Sequence, residues 1–196
     1  PQSFDPLFFN ISPKEAAALD PQERLFLECV YHAIEDSGYT KDTLAPQIKF
    51  GMNNNVGVFV GVMYEEYQLY AAQQQAAGNM ITLGASEASI ANRVSYYCGF
   101  HGPSMALDSM CSSSLVTVHL ACKSIRDDEC DVAIAGGVNL SIHPNKFFML
   151  GQNGFASSDG RCRSFGKGGD GYTPGEGVGA LVLKRKSKAI EDGDHI

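Results

Sequence analysis

Tryptophan is absent from this 196-residue chain, and several other features are scarce in ways that narrow its function. No apolar run approaches the roughly 20 residues needed to cross a bilayer, and the amino terminus lacks a signal-peptide pattern, so a soluble protein that uses no membrane is expected. Basic residues are too few to grip a phosphate backbone: 15 Lys and Arg face 22 Asp and Glu, a formal charge of -7, which argues against nucleic acid as a partner. The Lys184-Arg185-Lys186 cluster reads instead as a solvated strand end. Cys29, Cys98, Cys111, Cys122, Cys130 and Cys162 are irregularly spaced and include no C-x-x-C pair, which fits neither a zinc site nor a disulfide scaffold. No metal is expected, and a reducing, cytoplasmic setting follows. A nucleotide-phosphate loop is also missing: the glycines from Gly166 to Gly179 lead into the strand-like run Val178 to Leu183, not into a helix, and read as turns.

What remains is a globular composition. With 44% apolar and only 19% charged residues, the chain can bury a core of its own. Ser12-Pro13-Lys14-Glu15 and Asp20-Pro21-Gln22-Glu23 each place a capping side chain before a first-turn proline, with a glutamate set to bond back to the cap. Two helix starts are therefore expected. The second helix should run from Pro21 to about Ser37, burying Phe26, Val30, Ala33 and Ile34 and stopping at Gly38. Val56 to Val62 and Asp131 to Val138 are continuous β-prone runs of the kind buried on both faces, and the glycines of the first suggest that a helix comes close. Met63 to Met80 reads as a surface loop or short helices, with a lid or partner contact as the second option. Ser86 to Tyr97 reads as a helix whose Arg93 makes a structural ion pair or carbonyl contact.

The rest of the chain is organised around the stretch from Ser104 to Leu115. It reads as a short strand that ends at Cys111 and turns directly into a helix running to about Asp127, with Ser112, Ser113 and Ser114 offering capping hydroxyls. Leu115, Val116, Val118, Leu120, Ala121, Cys122 and Ile125 surround most of that helix, so it should be buried, with Cys111 at the bottom of a pocket or inside the core. Unpaired N–H groups at the helix start favour negative charge and can hold a developing oxyanion, which makes Cys111 a candidate nucleophile. An inert core cysteine fits the same spacing. Strand, helix and the strand from Asp131 then form a βαβ unit of a parallel sheet, with Cys111 at the carboxyl edge where ligands gather. No histidine sits in a recognisable catalytic motif: His119, on the same helix, lies eight residues and therefore about 12 Å from Cys111.

Asp108-Ser109-Met110-Cys111-Ser112-Ser113-Ser114-Leu115 resembles the nucleophile motif of β-ketoacyl synthases, the ketosynthase domains of modular type I polyketide synthases, where Thr and Ala usually stand at the positions of Ser109 and Met110. Phe4-Asp5-Pro6-Leu7-Phe8-Phe9-Asn10-Ile11-Ser12-Pro13, Leu19-Asp20-Pro21-Gln22-Glu23-Arg24-Leu25, Asn92-Arg93-Val94-Ser95-Tyr96-Tyr97, Gly102-Pro103-Ser104 and Gly175-Glu176-Gly177-Val178-Gly179 resemble further blocks of that family, in family order. The resemblance implies an α/β, thiolase-like layered fold (αβαβα). Residues 1–196 would form the amino-terminal half of a single ketosynthase domain around a mostly parallel buried sheet, with fold and active site completed beyond residue 196. The two histidine blocks of the family belong to that later half and are not in this sequence.

The activity implied is that of an acyltransferase and condensing enzyme. Cys111 accepts an acyl chain from an acyl carrier protein, and decarboxylative Claisen condensation with a malonyl carrier thioester then elongates the polyketide. The domain itself binds no cofactor, because its substrates ride on the phosphopantetheine of the carrier. The implied partners are the acyl carrier protein, a second copy in a homodimer and the neighbouring polyketide synthase domains. Met110 is implied to shape the acyl pocket, and Leu150, in the run Phe147 to Leu150, to wall the acyl channel. Methionine at 110 is similar to ketosynthases of synthases that use a separate acyltransferase. The alternatives are a non-elongating ketosynthase-like acyl-transfer or scaffold domain and a fatty-acid condensing enzyme of the same fold; the Asp20 to Arg24 block and the serine triplet favour the polyketide branch.

Overall fold

The computed structural model describes residues 4–48, 51–84 and 86–196. Both proline-led helix starts form. In α1 (Pro13–Ala18) Ser12 Oγ accepts from the Glu15 amide at 3.1 Å, and in α2 (Pro21–Asp36) Asp20 Oδ1 accepts from the Gln22 amide at 2.7 Å. The glutamates do not close the expected capping boxes. Glu15 and Glu23 both turn to Arg93 on α4 (Glu87–Cys98), whose guanidinium lies 2.9 Å from each. The Glu23 side chain is only 2% exposed, and a buried carboxylate is held far better by a guanidinium than by one amide. The three helices are thereby tied at one point, and Arg93 has the structural role its sequence context suggests.

β1 (Val56–Gly61) lies between β2 (Ser104–Leu107) and β3 (Val132–Asn139) and is parallel to both, while β4 (Gly177–Lys184) pairs antiparallel with the far side of β3. The sheet is mostly parallel, as expected. The two-residue period of a strand sorts its side chains into two layers. Val56, Val58, Val60, Val132 and Ile134 share one buried cluster with Phe26, Val30 and Ile34 of α2 and Ile90 and Val94 of α4. Phe59, Ala133 and Ala135 share the other with Ala121 and Ile125 of α5 (Ser113–Arg126). The result is helix, sheet, helix, with β2, α5 and β3 forming a parallel unit that crosses over β1.

Three shorter helices complete the described chain. The Met63 to Met80 stretch contains α3 (Tyr67–Ala76), pinned by the Tyr67 hydroxyl on Ala17 O and the Tyr70 hydroxyl on Ile142 O. α6 (Asn145–Gln152) follows β3, and α7 (Lys186–Asp192) follows β4. Lys184 corrects the expectation of a solvated strand end, since its Nζ lies 2.6 Å from Asp192 and 2.8 Å from Asp194. Burial opposes its charge, but the bonds to those carboxylates and to Tyr39 outweigh burial and raise its pKa.

The cap of α2 carries a pH signature. Asp20 is 1% exposed, and its Oδ2 has no hydrogen-bond partner among the described residues. Burial first, and then the Glu23 charge, raise its pKa from 3.8 to about 6, against the opposing Gln22 amide and Arg24. The folded carboxyl keeps its proton to higher pH than the unfolded one, so this group removes stability as pH rises from about 4 through about 6. Asp20→Asn keeps the cap acceptor and removes the titration. It is expected to gain about 2 kcal/mol over the unsubstituted protein at pH 8 in urea denaturation, a gain that vanishes below pH 4. The same difference at both pH values would contradict this reading.

Candidate active site

β2 ends at Leu107, four residues before Cys111, so the expected direct strand-to-helix passage is instead a tight turn from Asp108 to Ser112. Short polar side chains build that turn. Asp108 Oδ1 accepts from the Met110 amide at 2.7 Å, Ser112 Oγ donates to Ser109 O at 2.9 Å, and Ser113 Oγ accepts from the Ser109 amide at 2.9 Å while donating to Met110 O at 2.7 Å. The serine triplet therefore fastens the turn, and Ser112, at the helix N-cap, makes no side-chain cap bond. Met110 sits at φ +62°, a left-handed conformation that costs a non-glycine residue roughly 1 kcal/mol or more. This kink aims Cys111 outward.

Glycine lets the helix start come down onto the sheet. A Cβ on Gly61, the last residue of β1, would lie 2.8 Å from both Ser113 C and Ser114 N, and one on Gly137 of β3 would lie 3.0 Å from Ser114 Cβ. One turn further, Thr117 Oγ1 reaches Gly136 O at 3.1 Å. The close approach also explains why α5 is not buried all round. Its buried side consists of Ser113, Thr117, Ala121, Ser124 and Ile125, while Val118 and Leu120 pack only partly buried against the Phe59 cluster and Leu115 is 75% exposed.

Cys111 is exposed and opens onto a cavity of about 760 Å³ bounded by the carboxyl ends of β1 and β3, the start of α5, and β4 with the loop before it. The other thiols differ from it. Burial pushes the Cys98 thiol up to about 12 and also raises those of Cys130 and Cys29, while Cys122 and Cys162 are exposed but do not line this cavity. Among the described residues, neither the Cys111 nor the Ser112 amide donates to the chain, leaving two free N–H groups at the helix mouth. Met110, 61% exposed on the turn, lines the same cavity. Leu150 is not brought there: it is buried on α6, and Lys146 of the same helix takes the place on the wall. No histidine lines the cavity among the described residues, and His143 is engaged with Gln73 at 2.8 Å and meets the Tyr70 ring edge to face.

Three further polar groups on the wall, Tyr64, Tyr172 and Lys146, escaped the sequence reading. Lys146 is 2% exposed; its Nζ donates to Asn139 Oδ1 at 2.7 Å and Leu140 O at 3.1 Å and stands 4.6 Å from the Tyr64 ring centre. Burial lowers its pKa, partly offset by Glu66 and Glu176. Behind them Gln22, fully buried, donates from Nε2 to Tyr64 O at 2.7 Å and accepts from the Leu140 amide at 3.0 Å, clamping the loops that follow β1 and β3 to each other. The tyrosine-rich composition of Met63 to Met80 was the only sequence signal for any of these. Gln22 was hidden inside a capping motif.

A cysteine at the carboxyl edge of the sheet, on a serine-tied turn before a helix packed on glycine, is the arrangement that the motif resemblance implies, and the match extends to nearly the whole chain. Residues 1–189 match the β-ketoacyl synthase N-terminal domain family. The chain belongs to the β-ketoacyl synthase family. It is 65% identical over 193 residues to polyketide synthase PksL of Bacillus subtilis and 58% identical over 193 residues to polyketide synthase ThaG of Burkholderia thailandensis. Each match covers 98% of this chain but only 4% and 3% of those proteins. Among solved structures, it is similar to the oxazolomycin ketosynthase domain OzmH KS7 of Streptomyces albus JA3453, at 54% identity and a TM-score of 0.90, over 98% of this chain and 33% of that one. It is also similar to the ketosynthase from module 6 of the bacillaene synthase of Bacillus subtilis 168, at 42% identity and a TM-score of 0.85, over 98% and 31%. The fold is thus that of polyketide synthase ketosynthase domains, as the motifs imply, and the chain spans about a third of the solved relatives' length.

Proposed function

We propose that this β-ketoacyl synthase chain carries the acyl-accepting centre of a ketosynthase in polyketide chain elongation, with Cys111 as its nucleophile. The observation that carries this reading is the exposure of Cys111 at the helix mouth, on the cavity, beside two undonated backbone amides. The sulfur of Cys111 attacks the carbonyl carbon of an acyl thioester carried on the phosphopantetheine of an acyl carrier protein. The carbonyl oxygen becomes an oxyanion where the Cys111 and Ser112 amides can donate to it. Collapse breaks the bond from carbon to the carrier sulfur, leaves a thioester on Cys111, and returns the Cys111 proton to the carrier thiol. In the second half-reaction, a malonyl carrier thioester loses carbon dioxide, the α-carbon of the resulting enolate forms a bond to the acyl carbonyl carbon, and the bond from that carbon to Cys111 breaks, releasing a thiolate that takes its proton from solvent. The family's histidine blocks, which serve that step, are not in this sequence. The same reading includes a cytoplasmic homodimer flanked by other synthase domains. Met110 shapes the acyl pocket from beside the nucleophile.

Limited alkylation with iodoacetamide, followed by peptide mapping of the full-length synthase carrying this chain, is expected to modify Cys111 well before Cys29 or Cys98. Cys111→Ala is expected to abolish acyl transfer from the carrier. Modification of Cys111 no faster than of Cys98, or acyl transfer retained in Cys111→Ala, would overturn the assignment. Met110→Ala is expected to shift the acyl-chain profile towards bulkier groups, and an unchanged profile would remove Met110 from the pocket's determinants.

A further inference from the structure

Five non-glycine residues have a positive φ among the described residues. Asn10, Asn54 and Asp128 are of the types whose short polar side chains tolerate that conformation by bonding locally. Met110, at φ +62°, has no such side chain, and it stands directly before the nucleophile. Its conformation is held from both sides instead. Asp108, the first residue after β2, accepts from the Met110 amide through Oδ1 at 2.7 Å. On the other side Ser113 takes the Met110 carbonyl, with its hydroxyl at 2.7 Å and its amide at 3.2 Å. The Ser113 hydroxyl also lies 3.5 Å from Asp108 Oδ1, which joins the two holds. They differ in what anchors them. Ser113 is 6% exposed in the first turn of α5, fixed where that turn meets Gly61. Asp108 is exposed and lines no part of the cavity, so neither the core nor the cavity wall depends on its carboxylate.

We propose that Asp108 is a positioning residue for acyl transfer: its bond to the Met110 amide keeps residue 110 left-handed, and so keeps the Cys111 sulfur and the backbone amides at the helix mouth converging on one thioester carbonyl. The inference rests on Cys111 as the acyl acceptor. A methionine without that bond relaxes towards negative φ, which swings the peptide between Met110 and Cys111 and carries the Cys111 amide with it. An exposed thiol survives such a change. The alignment of nucleophile with oxyanion donor does not, and that alignment is what sets the rate of attack on a carbonyl. Asp108 touches no reacting atom and acts through residue 110.

The test uses the full-length synthase carrying this chain and the acetyl thioester of N-acetylcysteamine, with acylation of Cys111 read from the mass of its peptide over a range of probe concentrations. Asp108→Ala is expected to lower the saturating rate about tenfold, the worth of one hydrogen bond to a charged group, and to leave the half-saturating concentration within about twofold. Asp108→Asn, which keeps an acceptor at Oδ1, is expected to retain most of the rate. Alkylation of Cys111 by iodoacetamide, which needs an exposed sulfur but no oxyanion donor, is expected to change by less than about twofold in either variant. Glycine takes a positive φ without strain, so in a Met110→Gly background Asp108→Ala is expected to cost about threefold or less. In a Met110→Ala background, which keeps the strain, the loss of about tenfold is expected to remain. An unchanged acylation rate in Asp108→Ala, equal losses of acylation and alkylation, or equal losses in the glycine and alanine backgrounds overturns the positioning role while leaving Cys111 as the acceptor. No acylation of Cys111 in the unsubstituted protein overturns both readings.

Discussion

The contact between the first turn of α5 and the ends of β1 and β3 sets the position of everything at the site. Gly61 and Gly137 leave no side chain between helix and sheet, and the helix start settles against bare backbone at van der Waals distance. A methyl group at Gly61 would overlap Ser113 and Ser114 backbone atoms, which cannot rotate away as a side-chain tip would. From that contact the rest follows. Thr117 reaches a sheet carbonyl, the fully buried side of α5 is restricted to small residues and Ile125, and the turn from Asp108 to Ser112 that leads into the helix holds Met110 in a left-handed conformation.

Much of this was legible in the residues, because local signals and tertiary demands agree there. Proline after a capping side chain marked both early helices, the continuous β-prone runs marked the central strands, and the glycines of β1 announced a close helix. What was misread shows where local chemistry has two outlets. Glu15 and Glu23 had the spacing of capping boxes, yet an arginine 70 positions after Glu23 offered a stronger partner. The apolar circumference of α5 suggested burial on all sides, but the pattern of small residues at Ser113, Thr117, Ala121 and Ser124 was the better guide to the face that meets the sheet. Lys184 looked solvated because its partners, Asp192 and Asp194, are brought beside it only when α7 folds back.

The polar side of the site could not have been read from sequence spacing at all. Tyr64, Lys146 and Tyr172 come from three separate loops and helices, and only the strand order β2-β1-β3-β4 gathers them around Cys111. Gln22 is the connecting element. It bridges a carbonyl after β1 and an amide after β3, so the same helix that fills the core on one face of the sheet also steadies the cavity at its edge. Leu150, by contrast, was assigned to the channel by resemblance and lies off this cavity, buried one turn beyond Lys146, which is the α6 residue on the wall.

The central claim is that bare backbone at Gly61 fixes where Cys111 stands. It is tested most directly by the rate of Cys111 acylation from an acyl carrier protein in Gly61→Ala, set beside Gly151→Ala on α6, where an added Cβ meets nothing within 4 Å. The account predicts that Gly61→Ala slows acylation by on the order of a hundredfold, the usual consequence of shifting a reacting atom by about 1 Å, while Gly151→Ala stays within about twofold of the unsubstituted protein. Equal rates in the two variants would contradict it.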